Sequence, residues 1–400
     1  MRIAFLCYEF LQPGGIGVYS RRLISELTSD GHKIVVFCAP ANPDLSHRIP
    51  LLSEVKQVPV SGLPLTSMLS FWTRLPIAVA RERVRGGPFD VVHSNAIADA
   101  FLSKRRLPGP RIVTVFHLGR SVVRSAGLRV MASPRALRTE YGLALAVEGR
   151  SIRRADQLIV ISDSTRREVQ AAFPDVAPGK VSVIPPGVDT QIATSDEKTA
   201  SYLRSKWGIS RGNKILLFVG RIKDRKGLPL LLKVLKQLEE ESAKLVIVGG
   251  GDGSRIARTA QKMGIGNQVI LAGYVSDQEL RAAYSISQVL VHPSVMEGYG
   301  MTLAESVYLG LPVVAFGVGA IPEVVQDGVN GFLVEYPNVS AFARAVRRVL
   351  SVGLEGPQNA TLKKPRFDWR LATVRTLAAY ERSIDTNHQA MADEDSKSGS

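Results

Sequence analysis

The sequence predicts an α/β protein made of two doubly wound halves, each a parallel sheet flanked by helices. Three observations carry that prediction. Short apolar runs recur along the chain, each ending in a glycine turn and passing into an amphipathic helix, which is the repeating unit of a parallel sheet. At 400 residues the chain exceeds what one core usually holds, so two domains are expected. A stiff turn, Pro185-Pro186-Gly187-Val188-Asp189, separates one set of these units from a second set. The halves are placed at residues 1–185 and 190–365, followed by a helix at 366–384 that packs back on the first half and a polar, disordered tail at 385–400.

In chain order, Arg2 to Cys7 is a buried strand that runs into Pro13-Gly14-Gly15-Ile16-Gly17 and an amphipathic helix through Leu27. The glycines do not fit G-x-G-x-x-G, and no acidic residue follows the next strand, Lys33 to Phe37, at the expected place. A nicotinamide cofactor is therefore disfavoured. Gly15 and Gly17 read instead as close backbone approach to a phosphate or sugar. Phe89 to His93 and Arg111 to Phe116 are further strands, and His117 ends the second at the functional edge of the sheet, where a site role is expected. Asp156 to Ile161 and Lys180 to Ile184 complete the first set.

The second set opens with Lys214 to Val219, which enters Gly220-Arg221-Ile-Lys-Asp-Arg-Lys226-Gly227. Arg221 and Lys226 are the candidate phosphate ligands there, the guanidinium gripping two oxygens and the ammonium acting as a point charge. Lys244 to Val248 ends in three glycines, and Gln268 to Leu271 leads to Gly273-Tyr274-Val275. Strand Gln288 to Val291 then precedes the densest stretch of the chain, His292 to Glu305. Pro312 to Phe316 leads to another glycine turn and Pro322-Glu323, Asp327 to Gly331 turns into the last strand, and amphipathic helices follow at 340–352 and 367–384.

Composition narrows the class. Hydrophobic and charged contents of 45% and 22% are those of an ordinary globular protein. Cys7 and Cys38 lie in apolar runs with no metal spacing and read as small core residues. With no run of 18 apolar residues and no cleavable leader pattern, a cytoplasmic chain is expected. The formal charge is +15, of which residues 71–170 carry +10. No zinc finger, helix-turn-helix or RNA-binding pattern accompanies that charge, so an anionic membrane surface is a better partner than nucleic acid. Residues 119–139 interleave Arg120, Arg124, Arg129, Arg135 and Arg138 with Val123, Val130 and Met131, and Leu69-Ser-Phe71-Trp72 offers an interfacial aromatic contact.

The segment 292–305 sets the chemistry. Its two carboxylates, Glu297 in the loop and Glu305 in the helix, are eight residues apart, which is roughly 12 Å at 1.5 Å per helical residue. A glycosidase pair needs about 5 to 9.5 Å, so that reaction is disfavoured. The spacing suits a ligand with a hydroxyl-rich group at each end and an anion between them at the helix start: sugar, diphosphate and ribose.

These elements, in this order, resemble the retaining glycosyltransferases of family 4, which have the GT-B fold of two Rossmann-like domains with parallel sheets facing a central cleft. The resemblance rests on Glu297 and Glu305 as an E-x7-E pair, Gly220-Arg221 with Lys226-Gly227, Val248 to Gly251, and Asn330-Gly331. It implies that Arg221 and Lys226 hold the donor diphosphate, that Glu305 takes the ribose hydroxyls, and that Glu297 with Gly298, Tyr299, Gly300 and Met301 holds the transferred sugar. Tyr274 and Val275 would contact the base, while Gly15, Gly17 and His117 would approach from the first domain. No metal and no cofactor are expected. The implied donor is a GDP- or UDP-hexose, mannose or glucose, and the acceptor is lipid-linked or a cell-envelope glycan precursor, reached from the cytoplasmic face of a membrane. Two alternatives share the architecture: a nucleotide-sugar epimerase and a catalytically silent binding subunit.

Overall fold

The computed structural model describes residues 1–12, 14–40, 54–60, 64–95, 98, 102, 109–121, 135–189, 192, 196–352 and 368–398. The basic segment 119–139 falls largely outside these: nothing is described at 122–134, which contains Arg124 and Arg129, nor for the side chains of Arg135 and Arg138. The chain divides into two compact units at Pro186–Gly187 and crosses back at Asp368–Trp369.

The first unit holds strands β1 (Arg2–Leu6), β2 (Lys33–Cys38), β3 (Glu54–Gln57), β4 (Val91–Asn95), β5 (Arg111–Val115), β6 (Gln157–Val160) and β7 (Val181–Val183). All pair in parallel, in the order β3-β2-β1-β4-β5-β6-β7. Ile3 to Leu6 are completely buried, because helices cover both faces of the sheet and an alternating pattern has no exposed side to serve. Helix α1 (Gly15–Ser29) follows β1, and α2 (Pro64–Gly86) precedes β4. Phe71 and Trp72 of α2 lie in the core against Val35, Phe37 and Phe89, so neither forms the interfacial contact expected of them; helical periodicity turns them inward. Helices α3 (Arg135–Arg154) and α4 (Asp163–Ala172) flank β6, and Phe173 and Val169 pack on Val113 and Leu158.

The second unit begins with α5 (Glu197–Lys206) and contains β8 (Lys214–Val219), α6 (Leu228–Leu238), β9 (Ala243–Val248), α7 (Ser254–Lys262), β10 (Val269–Gly273) and α8 (Asp277–Ser285). It continues with β11 (Val289–His292), α9 (Met301–Tyr308), β12 (Val313–Phe316), the single turn α10 (Ile321–Val324), β13 (Gly331–Val334) and α11 (Val339–Val352). The sheet is parallel, in the order β10-β9-β8-β11-β12-β13. Leu231, Leu232 and Leu235 of α6 join Phe342 and Val346 of α11 over β8 and β11 to form its core.

The last helix, α12 (Trp369–Ser398), belongs to the first unit and packs on α1, β5 and β6. It extends through the stretch expected to be a disordered tail. Gln389, Ala390, Met391, Ala392 and Glu394 are all good helix formers, and they continue a helix already nucleated by packing. Tyr380 of α12 reaches His93 Nδ1 at 2.5 Å, and His93 Nε2 meets Thr114 Oγ1 at 2.7 Å. Burial pushes that imidazole down to about 3, so it stays neutral between two hydroxyl groups.

Candidate active site

The strand order of the second unit reverses direction between β8 and β11, and a parallel sheet opens a crevice at the carboxyl ends of two such strands. The loops that leave those two ends are 220–227 and 293–300, which carry Arg221, Lys226 and Glu297. They are laced together. Val295 N donates to Arg225 O at 2.9 Å. Gly227 has φ +68°, and a Cβ there would overlap the Pro293 carbonyl, so only glycine lets the two loops touch.

The contact places Lys226 Nζ 2.5 Å from Glu297 Oε2, with only 12% and 13% of the two side chains exposed. Burial alone would raise Glu297, but Lys226, the hydrogen bond from His292 and the charge of Arg225 hold it well below the usual carboxylate range. Burial lowers Lys226, opposed by Glu297; Arg225 and Arg221 push it further down, which marks both guanidinium groups as part of one positive field. His292 Nε2 lies 3.1 Å from Glu297 Oε2 and 2.9 Å from Ser294 Oγ. Since Nε2 faces a carboxylate and burial lowers the imidazole, the tautomer assigned is neutral with its proton on Nε2, donating to Glu297. Among the described residues Nδ1 is then a buried acceptor without a partner, a cheaper omission than an orphaned N–H. Phe218 stacks on the ring at a centroid distance of 6.3 Å.

From behind, Gly319 supports the same loop. Its φ is +56°, a Cβ there would overlap the Glu297 carbonyl, and the neighbouring Ala320 N donates to that carbonyl at 3.0 Å. Tyr299 is buried within the loop, Gly298 precedes it, Gly300 caps α9 and Met301 is its first residue. Glu305 follows on α9 and accepts a 2.7 Å hydrogen bond from Tyr284. Tyr274, half exposed, and Val275 follow β10; the Tyr274 ring lies against Gly250 in the turn after β9.

Three candidates belong to the first unit. Gly15 opens α1, with nothing among the described residues within 4 Å of where its side chain would be. Gly17 is different: the carbonyls of Glu9 and Gln12, each 2.7 Å from a would-be Cβ, fill its space, so chain packing by itself requires glycine there. His117 follows β5, and the nearby Gly119 N is held by both oxygens of Glu148, at 2.9 and 3.1 Å. The sequence alone gives no role to His292, Ser294, Arg225, Gly319 or Tyr284. His292 and Ser294 lie within the segment 292–305, but only the fold shows that they face Glu297.

Residues 201–364 match the family described as Glycosyl transferases group 1, and residues 13–192 match Glycosyltransferase Family 4. The chain belongs to the family 4 glycosyltransferases. Its relatives include the D-inositol 3-phosphate glycosyltransferase of Mycobacterium tuberculosis, 27% identical over 93% of this chain and 79% of the relative. Among solved structures, the transferase resembles sucrose-phosphate synthase from Thermosynechococcus elongatus with a TM-score of 0.73, 22% identity and 99% of each chain covered. It also resembles WaaG, a glycosyltransferase involved in lipopolysaccharide biosynthesis, with a TM-score of 0.71, 20% identity, and 96% of this chain and 99% of WaaG covered. Anabaena HepE in complex with UDP-glucose superposes with a TM-score of 0.69, 19% identity, and 99% of this chain and 100% of HepE covered. The fold of the transferase is accordingly GT-B, with two parallel-sheet Rossmann-like domains.

Proposed function

We propose that the transferase moves a hexose, mannose or glucose, from a nucleoside diphosphate donor to its acceptor with retention of anomeric configuration. The observation that carries this reading is the buried cluster of Lys226, Glu297 and His292 at the switch point of the second sheet. Glycosyl transfer builds negative charge on the departing diphosphate and positive character on the sugar. A lysine and two arginines beside the start of α9 suit the first, and an ionised, oriented Glu297 suits the second. In this reading Lys226 is held by Glu297 until the diphosphate shares it, Arg221 grips two phosphate oxygens, and Glu305 takes the ribose. These cations take up the leaving charge without a metal or cofactor. The UDP-glucose complex of HepE supports a nucleotide-sugar donor.

The test is a thermal-shift screen of UDP- and GDP-hexoses, followed by transfer assays. At least one donor is expected to raise the melting temperature, and Arg221→Ala is expected to lower turnover some 10²- to 10³-fold, as on removal of one preorganised electrostatic group. Donor incubated alone tests the epimerase alternative, since only an epimerase converts the sugar without acceptor. A chain stabilised by no donor, with turnover unchanged in Arg221→Ala, refutes the assignment.

A second reading, peripheral attachment to an anionic membrane with a lipid-linked acceptor, is favoured by α2. Leu69, Ile77 and Val84 are 41%, 53% and 87% exposed along one stripe of this helix, beside the exposed Arg74, Arg81 and Arg85. Each arginine at an anionic surface contributes about 1 kcal/mol, so the three give roughly 3 kcal/mol, enough for salt-sensitive attachment. Among the described residues no helix is long and apolar enough to cross a membrane. Sedimentation with anionic and neutral vesicles at low salt tests it, and absence from both pellets refutes it.

A further inference from the structure

Tyr284 stands one residue before the end of α8 and is buried. Its hydroxyl is 2.7 Å from Glu305 Oε2 and 3.4 Å from the Thr302 carbonyl, so the two acceptors compete for one proton and the carboxylate is much the nearer. Burial, reinforced by the charge of Glu305, pushes the phenol well above its ordinary 10, so it remains a neutral donor across the working range of pH. A glutamate has three side-chain torsions, and a half-buried one at a helix surface keeps several arrangements unless a fixed donor selects one. Tyr284 is such a donor, because helix burial leaves it little freedom of its own.

The path of α8 adds a second relation. The helix starts at Asp277, two residues after the Tyr274-Val275 pair assigned to the base, and is anchored there by a capping box between Ser276 and Glu279. Seven residues later, roughly 10 Å at 1.5 Å each, it delivers Tyr284 to Glu305. One rigid rod thus joins the base loop to the carboxylate assigned to the ribose.

We infer that Tyr284 is a positioning residue that orients the Glu305 carboxylate toward the vicinal hydroxyls of a ribose, and thereby sets the preference of the site for ribonucleotides over deoxyribonucleotides. This rests on the reading of Glu305 given above. A carboxylate recognises a vicinal diol by accepting from both hydroxyls at once, which demands one orientation; a carboxylate free to turn accepts from either hydroxyl singly and loses the difference between the two sugars.

The experiment measures binding of UDP, GDP and ADP to the full chain by calorimetry, takes the tightest of the three, and compares it with its 2′-deoxy counterpart. The wild type is expected to prefer the ribonucleotide about tenfold or more, the scale of one hydrogen bond to a charged group. Tyr284→Phe is expected to weaken the ribonucleotide by about tenfold, leave the deoxynucleotide nearly unchanged, and so bring the ratio close to one. A variant that is merely less stable weakens both ligands alike and keeps the ratio, which overturns the inference. If Glu305→Ala abolishes the preference and Tyr284→Phe keeps it, Glu305 stands as the ribose ligand and the inference about Tyr284 falls alone. If Glu305→Ala itself keeps the preference, both fall. Should Tyr284→Phe not fold, 3-fluorotyrosine placed at 284 supplies the measurement: its fluorine resonance is expected to move with the ribonucleotide and not with the deoxynucleotide. Equal movement with both, or none with either, overturns the inference.

Discussion

Replacing Lys226 by methionine keeps most of the side-chain volume and removes the charge, so it isolates what the ammonium does for Glu297. The pair has an N to O separation of 2.5 Å and exposures of 12% and 13%, which places it with buried ion pairs and not with surface ones. Breaking such a pair from one side costs about 3–5 kcal/mol, because the remaining charge is left desolvated. His292 still donates to Glu297 in the variant and Arg225 is still near, so the lower end applies: about 3 kcal/mol at pH 7.

The sign of the pH dependence follows. In the wild type the folded-state value of Glu297 lies below its unfolded one, so its contribution is fully present above the unfolded range of about 4.3 and is lost as pH falls through the folded value. In Lys226→Met the burial effect dominates and the folded value moves upward, so the penalty is largest at neutral pH and shrinks as the carboxyl protonates toward pH 4 to 5. Glu297→Gln strands the lysine instead, and its penalty shrinks in the opposite direction, as pH rises and the ammonium loses its proton. The double variant is expected to cost less than the sum of the singles. Urea unfolding at pH 4 to 8, read by hydrogen exchange over residues 214–316, follows the second unit by itself. A cost for Lys226→Met below about 1 kcal/mol, or one that does not vary with pH, refutes the claim that the pair is desolvated.

Two further substitutions probe the scaffold. Gly319→Ala puts a methyl group into the Glu297 carbonyl at a left-handed φ of +56°, so it is expected to lower the stability of the second unit by about 1–3 kcal/mol and to reduce turnover by moving the Glu297 loop; wild-type melting and wild-type turnover together would exclude that role. Tyr380→Phe removes the hydroxyl from His93 and is expected to destabilise the first unit by about 1–3 kcal/mol with no change in nucleotide affinity, tested by urea unfolding beside calorimetry; a changed affinity would instead place this contact in the donor site.

Strands buried on both faces were legible because they are uniformly apolar and end in glycine, as at Lys214–Val219 and Arg2–Leu6. Strand β3 was not. Glu54-Val-Lys-Gln57 carries one apolar residue in four, and it exists because β2 offers it a parallel partner along Val35 to Cys38. A charged edge strand protects the sheet from further pairing, and that same polarity hides it from a hydrophobic pattern. Phe71 and Trp72 failed for the converse reason: adjacent aromatics beside a basic segment resemble an interfacial anchor, and only the helical phase of α2 shows that Leu69, Ile77 and Val84 form the outer stripe.

The same distinction separates what could and could not be read at the site. Glu297, Lys226 and Arg221 are charged residues in glycine loops at strand ends, where a buried charge needs a ligand or a partner, and sequence position alone marks them. His292, Ser294, Tyr284 and Gly319 each have a routine local reading: a strand end, a loop hydroxyl, a helix aromatic, a turn glycine. Their significance comes from where three separate chain segments converge, which no local pattern encodes. None of the four is itself assigned to a ligand, and each supports a residue that is: His292 donates to the Glu297 carboxylate, Ser294 meets the same nitrogen, Gly319 backs the Glu297 backbone carbonyl, and Tyr284 donates to the Glu305 carboxylate. A carboxylate can perform one task in a transfer reaction only if its orientation is fixed before the substrate arrives. The charge is therefore written in the motif, and its direction is supplied by the fold.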